Sequence, residues 1–180
     1  MKPIYSTPIK YGLIGSVMAM VVIVFLYYTG KHPLLIPIFF DVRVILFALF
    51  IFFGIKEFKV QFNEGFLQFW QGMVVGIGIY VIIGLVAGFF VVLFSSIEPQ
   101  FFADYIEGTI RGLELDKDQI VNQGKITLTE EQYNAQVQML KESTPFVLGV
   151  DYFIKSTLLG FFITIIIAVI LRKSEKRFTN

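Results

Sequence analysis

Between Phe66 and Ile97 the chain is almost wholly apolar, and inside that run Gly72, Gly76, Tyr80, Gly84 and Gly88 recur every fourth residue. No Asp, Glu, Lys or Arg interrupts it from Phe69 to Ile97, longer than the roughly 20 apolar residues a helix needs to cross a bilayer. Lipid offers no water to an unpaired backbone group, so such a run must be helical there. In water, glycine costs a helix about 1 kcal/mol relative to alanine. In a membrane, small residues four apart let two helix backbones approach closely. The run therefore predicts a membrane helix shaped for tight packing.

The totals agree. The chain has 180 residues, 56% of them apolar, with a mean hydropathy of +0.72, outside the ordinary soluble range. A formal net charge of +1 gives no bulk electrostatic case for binding nucleic acid. Cysteine is absent, which removes disulfides, thiolate metal sites and a cysteine nucleophile together. The 21 phenylalanines read as a compositional habit rather than as an aromatic site.

Four spans are predicted, forming an all-α integral membrane four-helix bundle. The first is Tyr11 to Tyr28, with small pairs Gly12/Ser16 and Gly15/Ala19. Although Lys2 and Lys10 precede it, the run is long for a signal peptide and no small-x-small site follows, so it reads as uncleaved. Gly30, Lys31, His32 and Pro33 form a turn. The second span is Ile36 to Ile55, holding Asp41 and Arg43 in its outer third, with Lys56, Glu57 and Lys59 closing it. The glycine run is the third. The fourth, Phe146 to Leu171, repeats the device with Ser156, Gly160, Thr164 and Ala168. A four-residue row drifts by about 40° per step on a helix of 3.6 residues per turn. On that basis Gly72/Gly76 and Gly84/Gly88 are expected to meet two different neighbours, spans four and one.

The chain thus divides into spans one to three (1–97), a polar insert (98–145), and span four with a basic tail (146–180). The insert carries nine acidic residues against Arg111, Lys117, Lys125 and Lys141. Glu98-Pro99 predicts a helix start, continuing to Ile110 with Phe102, Ile106 and Ile110 on one stripe. Gly112 to Gly124 reads as a loop. Thr129 and Gln132 have capping-box spacing, predicting a helix to about Ser143 with Tyr133, Val137 and Leu140 on one face. Basic residues gather at Lys2, Lys10, Lys56, Lys59, Arg172, Lys173, Lys176 and Arg177, whereas the first link has only Lys31. By the positive-inside rule both termini are expected in the cytoplasm and the insert outside.

Ionisable residues within a membrane are functional candidates. Asp41 and Arg43 share a depth with Asp151 and Lys155, and a net-neutral cluster is expected, pairing Arg43 with Asp151 and Asp41 with Lys155 across spans two and four. The alternative is that the cations snorkel and the acids sit at the wet interface. His32, the only histidine, cannot build a two-histidine metal site and reads as a solvated turn residue. Glu114, Asp116 and Asp118 open like a calcium loop, but Ile120 and Val121 stand where a ligand and a glycine are required. Gln68, Trp70 and Gln71 read as interfacial anchors. No phosphate loop, nucleophile elbow or zinc-protease motif is present, so no catalytic, cofactor or metal residue is assigned.

Gly54-Ile55-Lys56-Glu57-Phe58-Lys59, followed by Gly65, Phe69, Gln71, Gly72 and Gly76, resembles the bacterial membrane family known as domain of unknown function 4199. Trp70 and Gly72 depart from that pattern, which has a small residue and then an alanine. The resemblance implies a source mainly in Bacteroidetes, four spans with a polar insert before the last, and no catalytic residue. It also hints at a polyprenyl-phosphate glycosyltransferase as a partner. The expected function is a non-enzymatic inner-membrane accessory or scaffold subunit that binds a partner membrane protein or itself. Phe102, Ile106, Tyr133, Val137 and Leu140 are its candidate contact surface. A small oligomeric transporter or channel is the alternative and a membrane enzyme on lipid-linked substrates the third choice.

Overall fold

The computed structural model describes residues 3–37, 40–115 and 129–173. Six α-helices follow in order: α1 Pro3–Tyr28, α2 Val42–Glu57, α3 Phe69–Ile97, α4 Pro99–Leu115, α5 Glu130–Lys141 and α6 Pro145–Leu171. A π-helical turn, Phe58–Phe62, continues α2. Among the described residues the chain is all-helical apart from turns and one antiparallel bridge between Leu67 and Lys173. Helix α3 packs against α1, α2 and α6, and α2 closes the bundle by touching α1 and α6. The end bearing α4 and α5 is here the insert end. The opposite end, where α6 finishes, is the tail end.

Three helices, α1, α3 and α6, are long and apolar enough to cross a membrane, not the four expected. With 16 residues, α2 is about 24 Å long at 1.5 Å per residue, short of the roughly 30 Å hydrocarbon core. The cause is local. Asp41 ends α2 as its N-cap, its carboxylate accepting from the Arg43 backbone N–H at 2.9 Å. Of the apolar residues before it taken as span, Ile36, Pro37 and Phe40 precede the helix, and Ile38 and Phe39 lie outside the described residues. Helix α1 in turn begins eight residues earlier than expected. Pro8 forfeits a helical hydrogen bond there, and its ring lies against Gly78, where a Cβ would approach it to 2.7 Å.

The expectation of two neighbours for the glycine row is corrected. A Cβ on Gly72 would meet Ala168, one on Gly76 would meet Thr164, one on Gly84 would meet Phe153 and Ser156, and one on Gly88 would meet Gly149, all on α6. From the other side, Gly160 receives Tyr80. The two four-residue rows therefore run antiparallel and face each other along most of their length. Such a row is inclined to the helix axis, and a partner lying along the row rather than along the axis follows its drift. At one end the helices meet backbone to backbone, a Cβ on Gly88 falling 3.0 Å from the Gly149 carbonyl oxygen.

Against α1 the device is different. Gly12 and Gly15 receive the side chains of Ile82 and Ile83, while the Ser16 hydroxyl donates to the Gly12 carbonyl at 2.7 Å. Gly54 on α2 likewise receives Ile79. The small residues of α1 and α2 are thus holes for isoleucine knobs, and ridges of one helix fill grooves of the other.

In the insert, α4 runs through Gly112 to Leu115, where a loop was expected. Its buried face is Phe101 and Tyr105 rather than the Phe102, Ile106, Ile110 stripe, because the α1–α2 link folds beneath it and Leu35 occupies the space beside Gly108. Phe102 and Ile106 are half-buried. The capping box opens α5 as its spacing predicts: Gln132 N–H donates to Thr129 Oγ1 at 3.2 Å and Thr129 N–H to Gln132 Oε1 at 3.0 Å. Helices α4 and α5 contact each other. Tyr133 is buried and Val137 and Leu140 are half-buried, so the expected contact surface is largely spent inside the protein. Asp116, Asp118, Ile120 and Val121 lie outside the described residues.

Candidate functional site at the insert end

The site is built where the first link, the start of α2 and the start of α6 converge under α4. Gly30, at φ +80°, adopts the left-handed conformation that glycine takes without a Cβ penalty. The link then turns inward, burying Pro33 and Leu34. Its carbonyls, outside any helix, need partners, since buried backbone acceptors are costly when unpaired. Arg43 Nη2 donates to the Pro33 carbonyl at 3.4 Å, and Lys155 Nζ to the Leu34 carbonyl at 3.5 Å.

Arg43 and Asp41 form an ion pair whose side chains are 5% and 3% exposed. The Asp41 carboxylate both caps α2 and accepts from the guanidinium. Over the ring of buried Tyr152, Arg43 Cζ sits 5.0 Å from the centroid, a cation–π contact that desolvation strengthens. One turn along α6, Lys155 and Asp151 pair at 2.7 Å. The structure thus gathers the four predicted charges into one region but corrects their pairing. Arg43 binds Asp41 and Lys155 binds Asp151, each within its own segment. Residues two and four positions apart in the chain pair at little entropic cost, and α2 and α6 are instead joined through Tyr152 and the link carbonyls. The void among Asp41, Arg43, Phe47, Lys155, Ser156 and Leu159 is about 10 Å³, at the lower limit for one water and far below a ligand pocket.

Above this layer, His32 is half-buried rather than solvated. Its Nε2 lies 3.0 Å from the Phe101 carbonyl oxygen, and its ring lies tilted against those of Phe101 and Tyr105, with centroids 4.4 Å and 5.8 Å away. Burial lowers the His32 pKa below its usual value, partly opposed by the Phe101 carbonyl and Asp104. Burial pushes the Tyr105 phenol up to about 12, with the Asp151 carboxylate adding to the effect. Among the described residues no three Asp, Glu, His or Cys side chains are grouped as metal ligands. Tyr152 and the two link carbonyls are the functional parts missed from sequence. Tyr152 had a signal, because it extends the Ser156, Gly160, Thr164, Ala168 row by one step.

The motif around the second link assembles at the tail end. Glu57 accepts from Lys10 Nζ at 2.7 Å and from the Tyr11 hydroxyl at 2.8 Å, tying α1 to α2. Lys59 Nζ donates to the Leu171 carbonyl at 2.9 Å, capping α6. Gly65 takes φ +81°, and Gln71 Oε1 accepts from Gln68 N–H at 2.9 Å and Asn63 Nδ2 at 3.1 Å. Every polar residue of the motif outside Lys56 therefore fastens two segments together.

An all-helical bundle with three helices apolar and long enough to span a bilayer has the helix lengths and composition compatible with a multi-pass membrane protein. The chain belongs to the family described as Protein of unknown function (DUF4199), whose model matches residues 10–173. No curated protein and no solved structure matches it.

Proposed function

We propose that this protein is a non-enzymatic accessory subunit of a bacterial inner membrane, holding or regulating a partner membrane protein. Both termini are cytoplasmic in this reading, α2 crosses as a short fourth span continued by its π turn, and α4 and α5 form an extracytoplasmic cap. Lys10, Lys56, Lys59, Arg172 and Lys173 at the tail end, against the acids of α4 and α5, support that orientation.

One observation carries the functional reading: the intramembrane charges are neutralised locally, and the α2 and α3 side chains beneath them are apolar. Phe47, Ile51, Ile55, Ile79 and Ile83 are fully buried below the ion pairs. A conducting or proton-relaying bundle needs ionisable or hydrated groups continuing toward mid-membrane. Here the charges fasten the link to α2 and α6 and stiffen the cap. The partner is a membrane protein, with a polyprenyl-phosphate glycosyltransferase the first to test, or a second copy of the chain.

Purification from native membranes in mild detergent, at natural expression level, tests it. Recovery of a stoichiometric membrane partner or a defined homo-oligomer is expected. Recovery of monomer alone overturns the reading. Reporter fusions after Lys141 and at the C-terminus check the orientation, with opposite sides expected.

A further inference from the structure

At the tail end the chain leaves a cleft of about 780 Å³ between the second link, the start of α3 and the end of α6. Phe62, Phe69, Trp70, Glu64, Arg172 and Lys173 are among its lining residues, and Lys173 Nζ lies 5.6 Å from the ring centroid of Phe66, which also lines it. Phe62, Phe69 and Trp70 are 47%, 38% and 53% exposed, so their faces are available. The cations stand on a fixed base: Leu67 N–H donates to the Lys173 carbonyl at 2.9 Å, and Lys173 N–H donates back to the Leu67 carbonyl at 3.0 Å. Leu67 itself is fully buried, which anchors that bridge in the core. Lys59 holds the Leu171 carbonyl two residues before Lys173. The basic pair is therefore presented by a pinned strand of backbone rather than by a loose tail.

We propose that this cleft binds the phosphate-bearing headgroup of an acidic phospholipid. The inference rests on the membrane-spanning part of the reading above, not on its partner. The cleft lies where the apolar helices α3 and α6 end, which is the depth of headgroups. Two cations against Glu64 leave a net positive lining, suited to a phosphodiester, and basic pockets between membrane helices bind acidic headgroups on this chemistry. The aromatic lining suits the glycerol backbone and first methylenes, a contact that free inorganic phosphate has no use for. At about 780 Å³ the space also exceeds what a lone phosphate would fill.

Trp70 is the only tryptophan and lines the cleft, so its fluorescence reports occupancy in the whole, otherwise unmodified protein. In detergent micelles, titration with short-chain phosphatidylglycerol should change Trp70 emission saturably. Phosphatidylcholine should act at least about tenfold more weakly. Arg172→Gln with Lys173→Gln should raise the half-saturating phosphatidylglycerol concentration by about tenfold or more. Those substitutions spare the backbone bridge, and unchanged helical circular dichroism would verify that the variant is folded. Lys56→Gln, an exposed cation outside the cleft, should leave the titration unchanged. An equal response to phosphatidylcholine, or an equal loss in Lys56→Gln, would overturn the site. A saturable response to inorganic phosphate at the same concentrations would overturn its assignment to lipid. A monomer in the co-purification leaves this titration intact, so the two readings fail separately.

Discussion

The two ends of the bundle both carry ion pairs, and they use them in opposite ways. At the insert end, Arg43 and Asp41 are almost wholly buried and their remaining valences go to a link carbonyl and an aromatic ring. At the tail end, the Lys10–Glu57 pair has its lysine 54% exposed, and Arg172 and Lys173 face an open cleft. Desolvation explains the contrast. A buried charge must be fully partnered because removing one member leaves the other stranded in a low dielectric, whereas an exposed pair is screened and contributes little. The buried Arg43–Asp41 pair is thus committed to holding the insert end together. At the tail end, Arg172 and Lys173 are instead presented to an open cleft.

The sharpest way to break this comparison is Asp41→Ala. It removes the α2 cap, worth about 1 kcal/mol, and strands Arg43, for a total loss of about 3–5 kcal/mol. Thermal unfolding in detergent would measure it, and hydrogen exchange should rise in α4 and the first link while the tail end stays protected. Replacing Asp41 and Arg43 together with apolar residues should cost less than Asp41→Ala alone.

Next in size is Gly76→Ala. Its Cβ would run into Thr164, and overpacking of this kind costs about 1–3 kcal/mol. Because it lifts α6 from α3 between the two ends, exchange should rise at both. A loss confined to one end would show that the ends do not share the α3–α6 seat. Glu57→Gln should cost only about 0.5–1 kcal/mol, discounted for the exposure of Lys10, and the loss should shrink further in high salt.

The smallest effect belongs to His32. Its folded-state pKa lies below the ordinary value of 6.5, so the unfolded chain binds the proton more readily. Stability from this group is therefore complete above about pH 6.5 and declines as pH falls from there toward the folded pKa. Exchange in α4 should increase modestly across that window, and a His32→Gln variant should lose the pH dependence.

What could be read from residues alone was whatever depends on near neighbours in the chain. The apolar runs that make α1, α3 and α6, the Thr129–Gln132 capping box, the Pro99 and Pro145 helix starts, and the basic and acidic ends all follow from local period or composition. Asp41 followed by Arg43 also carried a local signal, that of an N-cap, and reading it as part of a span placed the helix start too early. The fold alone decided what each face meets: that all four row glycines of α3 serve α6, that isoleucines fill the glycines of α1, that His32 lies under α4, and that Arg43 looks to Tyr152. Helical period says which residues share a face, but contact between faces depends on the inclination of two helices far apart in sequence. Only packing sets that inclination, which is why a four-residue drift that seems to demand two partners is followed by one.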